Sequence, residues 1–204
     1  MLIRKPQRGV SIVEIVIALG IMALLLALGV PQYATFLNNA RIRATTDNLT
    51  AGLNLARSEA VKRNARVEFV MTDEEPIASL VNTLPASTSG MNWVVREWVP
   101  ASGTFTFIEG KSGLESSGRD EATPIVIASS SADATYAGIV SFNGFGAASV
   151  TRPLQFQISN PSGGACAAAP TPGPMRCLNI IVSPGGQVRQ CDPRVTAAGD
   201  TRAC

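Results

Sequence analysis

The sequence predicts an α+β fold in which a long N-terminal helix packs on a C-terminal antiparallel β-sheet domain. Three observations carry this. The 16 residues Ile15–Val30 are uncharged and almost wholly apolar. An amphipathic stripe with helical spacing follows between Ile42 and Ala60. Beyond Asn64 the hydrophobic period changes from helical to two, with Gly, Pro, Ser and Asn clusters between the alternating runs.

Extended back to Val10, the apolar segment has 21 residues with Glu14 as its sole charge, about 32 Å of helix and one bilayer core. Arg4, Lys5 and Arg8 precede it, a cluster that orients such a segment with its N-terminus in the cytoplasm. A cleaved secretory signal calls for a polar stretch with a small-x-small site after the apolar run. Here Pro31-Gln32-Tyr33-Ala34-Thr35-Phe36-Leu37 continues in helical style instead. A plain membrane anchor leaves Glu14 unexplained, because a carboxylate inside an apolar segment is costly without a partner.

The third reading puts processing before the apolar run. Gly9-Val10-Ser11-Ile12-Val13-Glu14 resembles the class III leader of type IV prepilins: a short basic leader ending in Gly, then the new N-terminus, then Glu as fifth residue. The resemblance implies cleavage after Gly9 by a prepilin peptidase/methyltransferase and methylation at Val10, although the family usually has Phe at that place. It also puts Pro31 where pilins commonly carry a helix-kinking proline. Glu14 is then expected to meet the N-terminal amine of a neighbouring subunit, a register device wherever neither charge can be left unpaired in an apolar bundle.

The helical pattern runs on from residue 34 to about residue 66. Ile42, Thr46, Leu49, Leu53, Ala56 and Ala60 recur at spacings of three and four, a stripe suited to lying on a sheet. Asn64 marks the expected helix end. The basic residues off the stripe read as a solvated face in preference to a nucleic-acid stripe. Strands are expected at Val67–Thr72, Trp93–Val99, Thr104–Glu109, Ile125–Ser129, Gly138–Phe142, Leu154–Ser159, Leu178–Ser183 and Gln187–Gln190, with longer loops at 76–91 and 110–123. The organisation is thus a leader 1–9, a transmembrane or filament-core helix 10–33, an amphipathic helix 34–66 and a β-rich domain 67–204.

Composition narrows the function classes. The 204 residues contain 17 Lys+Arg, 15 Asp+Glu and no histidine. Without Arg4, Lys5 and Arg8 the balance is 14 basic against 15 acidic, so the remainder is not a globally basic nucleic-acid binder. The missing histidine removes Ser-His-Asp and Cys-His nucleophiles and every His-based metal site. The acids Asp73-Glu74-Glu75, Glu97, Glu109, Glu115 and Asp120-Glu121 are scattered and suit a solvated loop face. No enzyme, cofactor or metal is predicted.

Cys166, Cys177, Cys191 and Cys204 all lie in the last 39 residues. An even count outside the cytoplasm argues for two disulfides, and with no CxxC spacing zinc is disfavoured. Short loops favour Cys166–Cys177 with Cys191–Cys204. Cys177–Cys191 competes, because a Leu178–Gln190 hairpin turning at Pro184-Gly185-Gly186 could bring those two together. On that hairpin Leu178, Ile180, Val182 and Val188 read as core. Arg189 reads as outward, near Arg176, Arg194 and Arg202.

The segment 53–69 (LNLARSEAVKRNARVEF) and the closing strand pair resemble the GspH/FimT group of prepilins, strongest over residues 9–70 and 177–204. That resemblance implies a minor type IV pilin, held in the inner membrane by a single pass with its C-terminal domain periplasmic. It then joins the pilus through a priming or tip complex, with major and minor pilins and the inner-membrane assembly platform as partners. Two alternatives stand beside it. One is a receptor for double-stranded DNA in natural transformation: FimT-like pilins carry a Gly-Arg-x-Arg motif, matched here by Gly186-Gln187-Val188-Arg189, with Gln187 replacing the first arginine. Arg176, Arg194 and Arg202 are the accompanying candidate phosphate contacts. The other is a pseudopilin of a type II secretion system.

Overall fold

The computed structural model describes residue 9 and residues 11–113, 125–131, 136–168, 172–197 and 199–204. Residues 1–8 of the expected leader, Val10 and most of the expected loop 110–123, with Glu115, Asp120 and Glu121, lie outside the described residues. The chain divides into two compact units, Met1–Leu37 and Asn38–Cys204.

Helix α1 spans Ile12–Arg63 and includes Pro31. In the first unit its described apolar side chains are uncovered; Ile12, Val16, Leu24 and Leu28 are each more than 60% exposed. In the second unit Ile42, Thr46, Leu49, Leu53, Ala56 and Ala60 are buried, the stripe that the spacing predicts. Thr46 fits there because its Oγ1 donates to the Ile42 carbonyl at 2.7 Å, leaving its methyl for the core. The helix ends in a Schellman turn. Asn64 takes a left-handed φ of 47°, its N–H donates to the Val61 carbonyl, and the Ala65 N–H donates to that of Ala60.

The strands are β1 Val67–Thr72, β2 Asn92–Val99, β3 Thr104–Lys111, β4 Val126–Ser131, β5 Ile139–Phe142, β6 Leu154–Ser159, β7 Leu178–Val182 and β8 Val188–Cys191. All pairings between these strands are antiparallel. The antiparallel β domain expected under the helix is present, and its described strands form two four-stranded sheets, ordered β3-β2-β1-β5 and β4-β6-β7-β8. Alternation marks which residues face inward and leaves open which strand lies beside which. Here β5 crosses back to β1, and β4 skips β5 to join β6.

One core serves both sheets. Val67, Phe69, Met71, Trp93, Val95 and Phe142 from the first, and Leu154, Phe156, Ile158 and Ile180 from the second, pack on the helix stripe. Gly52 permits the close approach: a Cβ there would lie 2.8 Å from the Phe69 ring and 3.0 Å from that of Trp93. The opposite face of the first sheet is covered by the segment after β1, where Val81 and Leu84 pack on Val94. Beneath it lies Glu68, 1% exposed. Its carboxylate accepts from Arg96 Nη2 at 2.9 Å and from Arg66, and Arg96 donates Nη1 to the Val81 carbonyl at 2.8 Å. The Arg96 guanidinium also sits 3.7 Å over the Phe105 ring.

Candidate functional site

Two regions hold the residues that the sequence singles out. The first is the start of α1. Glu14 lies in the first helical turn, where a carboxylate complements the exposed N–H groups of the helix end. An 18-residue window of this helix has the length and apolar composition to cross a membrane, and none of it is buried in the fold. An uncovered apolar surface of this size needs lipid or other helices around it.

The second region is the C-terminal strap. Cys166 is bonded to Cys177 and Cys191 to Cys204, with Cα separations of 5.4 and 5.1 Å. The competing Cys177–Cys191 bond is absent. Cys191 stands opposite Asn179 in the β7–β8 ladder, leaving it free for the chain end. The strap also docks on α1: Asn39 Oδ1 accepts from the Arg176 N–H at 2.7 Å, and Gln190 Nε2 donates to Asp47 Oδ1 and Thr50 Oγ1 at 2.9 and 3.0 Å.

Asp192, 3% exposed, is the hub of the arginine group. It accepts from Arg176 Nε at 2.8 Å and from the Arg194 N–H at 3.0 Å, while its own N–H donates to the Arg202 carbonyl at 2.7 Å. Burial pushes its carboxyl pKa up, but the Arg194 N–H and the Arg176 guanidinium outweigh burial and hold it below the ordinary range. Arg202 grips Asp200 through Nε at 3.1 Å and Nη2 at 2.7 Å, and this pairing with the Arg202 N–H brings Asp200 down to about 2.

Arg189 is on the outer face of its sheet, as expected, yet it does not project freely into solvent. It is half-buried and donates Nη1 to the Ala203 carbonyl at 2.9 Å and Nη2 to that of Cys204 at 3.5 Å. Gly186 is a packing residue with φ 77°; a Cβ there would run into the Gly146 carbonyl oxygen. Gln187 is exposed beside it. The four arginines are therefore not equivalent, and the exposed side chain of Arg194 is the one whose guanidinium no bond within the described residues engages.

Sequence reasoning missed Arg43 and the hub role of Asp192. Arg43 is exposed on α1 and lines a cleft of about 250 Å³ with Asp47, Arg176, Gln190, Asp192 and Arg202. Its place off the buried stripe was legible; its meeting with a tail more than 130 residues away was not. Among the described residues no group of three or more His, Cys, Asp or Glu side chains could hold a metal ion.

Residues 45–186 match the family model described as type II transport protein GspH. No curated protein matches the chain. Among solved structures the chain is similar to the type IV minor pilin FimU of Pseudomonas aeruginosa, at 17% identity over 72% of this chain and 86% of that one, with a TM-score of 0.48. It is similar to E. coli GspH at 19% identity over 78% and 92% of the two chains, with a TM-score of 0.45. The minor pseudopilin EpsH of the Vibrio cholerae type 2 secretion system gives 11% identity, coverages of 76% and 98%, and a TM-score of 0.44.

Proposed function

The chain belongs to the GspH family, and from that premise we propose that it is a minor type IV pilin. On this reading it is held in the inner membrane by α1 with its N-terminus cytoplasmic, and prepilin peptidase cleaves after Gly9 and methylates Val10. It then enters a pilus with other pilins, through the membrane assembly platform, as part of a priming or tip complex. The observation that carries the reading is the uncovered apolar stretch of α1 with Glu14 as its one charge. A lipid anchor alone has no use for that carboxylate. A bundle of helices does, because each new amine can be neutralised only by a correctly stepped neighbour. The role is structural; the chain is a substrate of processing.

Glu14→Ala tests this. The variant inserts and is processed, yet is missing from sheared filaments; normal incorporation refutes the charge-pairing role.

A second reading follows from the family description itself, which is that of a type II transport protein: a pseudopilin with the same membrane helix and the same Glu14. Deleting the gene separates the two, since loss of surface pili marks the first and loss of protein secretion with pili intact marks the second. The DNA-receptor reading ranks below both. Arg176 and Arg202 are tied to aspartates and Arg189 to the strap, which leaves Arg194 and Arg43 to reach phosphates. Titration of residues 35–204 with double-stranded DNA at low and physiological salt decides it. Salt-sensitive binding abolished by Arg194→Gln with Arg43→Gln supports that reading, and no binding at low salt ends it.

A further inference from the structure

The two disulfides sit in different surroundings. Cys177 is 3% exposed and belongs to the common core, with Cys166 half-buried against it. Cys191 is as buried as Cys177, but its partner Cys204 is exposed. Thiol–disulfide exchange needs access to one sulfur of a bridge. The second bridge therefore offers solvent a point of attack, whereas the first is shielded by packing.

What the second bridge holds down is also weakly anchored. No described residue from Pro193 to Cys204 is buried, so no apolar side chain ties this part of the tail to the core. Residues 199–204 reach the sheet through polar contacts. The Arg202 carbonyl accepts from the Asp192 N–H at 2.7 Å, and the carbonyls of Ala203 and Cys204 accept from Arg189 at 2.9 and 3.5 Å. Asn179 Nδ2 donates to Cys204 Sγ at 3.6 Å. Asn179 is itself 3% exposed, and its Oδ1 has no hydrogen-bond partner among the described residues. Closure thus keeps an unsatisfied acceptor from water, which is unfavourable. Without the covalent tie, the conformational entropy of ordering residues 199–204 outweighs hydrogen bonds that water can replace.

We propose that Cys191–Cys204 is a thiol–disulfide exchange site, and that its opening by a dithiol releases residues 199–204 as a latch while the rest of the domain stays folded. One thiolate of the dithiol attacks Cys204 Sγ, forming a mixed disulfide and expelling the Cys191 thiolate, which takes up a proton. The second thiol of the dithiol, as its thiolate, then attacks the dithiol's own sulfur in the mixed disulfide, and Cys204 leaves as a thiolate that is protonated in turn. The dithiol is oxidised to its disulfide and the protein bridge is reduced to two thiols. Release uncovers Asn179 and frees the Arg189 guanidinium on the outer face of the sheet. The closed bridge masks a cation and the open one presents it. This goes beyond the assembly reading and does not depend on it, since α1 and Glu14 take no part.

Full-length chain in mild detergent is titrated with dithiothreitol, quenched with N-ethylmaleimide and then treated with phenylglyoxal, which labels accessible guanidinium groups. Peptide mass mapping reads both labels. Cys191 and Cys204 become alkylated together while Cys166 and Cys177 stay bonded. Over the same step Arg189 labelling rises about 10-fold, as expected when charged hydrogen bonds no longer protect it. Labelling of the buried Arg96 does not change. Cys204→Ser gives the high Arg189 labelling without any reductant, and reoxidation of the unquenched wild-type chain restores the low one. Three results overturn the proposal. In one, Cys166–Cys177 opens first or at the same dithiol concentration. In another, Arg189 stays unreactive after Cys191–Cys204 has opened. In the third, Arg189 and Arg96 become reactive together, which marks unfolding of the domain and not release of a latch.

Discussion

The buried pair Glu68–Arg96 offers the sharpest test of how the second unit is held together. Glu68→Met removes a carboxylate 2.9 Å from Arg96 Nη2 and leaves a guanidinium whose side chain is 8% exposed. At that distance and an effective dielectric of about 20, the lost attraction is roughly 6 kcal/mol. Arg96 keeps the Val81 carbonyl and the Phe105 ring, so the net cost is about 4 kcal/mol, within the range for breaking a buried pair. Arg96→Met is milder, about 3 kcal/mol, because Glu68 retains Arg66 and the hydroxyl of Ser141. For a unit of this size each kcal/mol moves Tm by about 2–4 °C, so Glu68→Met lowers Tm by about 8–16 °C. The double variant, with two methionines in the same space, lies closer to wild type than either single one. Far-UV circular dichroism on residues 38–204 measures all four proteins. Single variants within about 1 kcal/mol of wild type, or a double variant as unstable as the two singles added, refute the reasoning. Because Arg96 also holds the Val81 carbonyl, Arg96→Met should expose the 73–91 segment to proteolysis first.

Other consequences concern the strap. Opening Cys191–Cys204, which spans 13 residues, by Cys191→Ser with Cys204→Ser should cost about 3 kcal/mol, checked by thermal unfolding without reductant. Arg189→Ala should cost about 1.5–3 kcal/mol through its lost charged hydrogen bonds to the strap, seen as a lower denaturant midpoint with an unchanged slope. Asp192 titrates below its ordinary 3.8 in the folded chain. A depressed carboxylate contributes stability that is complete above the unfolded value and is lost as pH falls through the folded one. Stability should therefore drop below about pH 4, and Asp192→Asn should flatten that part of the profile in urea titrations at stepped pH.

Much of the fold was legible because it is written in local periods. The stripe Ile42–Ala60 and the strand positions depend on which face of one element is buried, and alternation reports that directly. Asn64 announced the helix end because Asn tolerates the left-handed conformation of a terminal turn. The buried Glu68 was not legible. Alternation in Val67–Thr72 puts it on the face away from the helix, which reads as solvated unless one knows that Arg96 stands opposite in register and that the 73–91 segment closes over both. Gly186 and Arg189 looked like binding residues in a motif at a turn. Packing against Gly146 and hydrogen bonds to Ala203 and Cys204 give both of them structural work.

By itself the sequence determined the apolar helix with Glu14 inside it, the amphipathic stripe, the eight strands found among the described residues and an even set of cysteines. Each of these follows from composition or spacing within a few turns of chain. Only the tertiary structure decided that the strands form two sheets, that Arg176 and Arg202 face Asp192 and Asp200, and that Arg43 joins the tail. Periodicity says which side of an element avoids water, whereas pairing and charge balance depend on neighbours in space, and a chain folded back on itself brings those from any distance along the sequence.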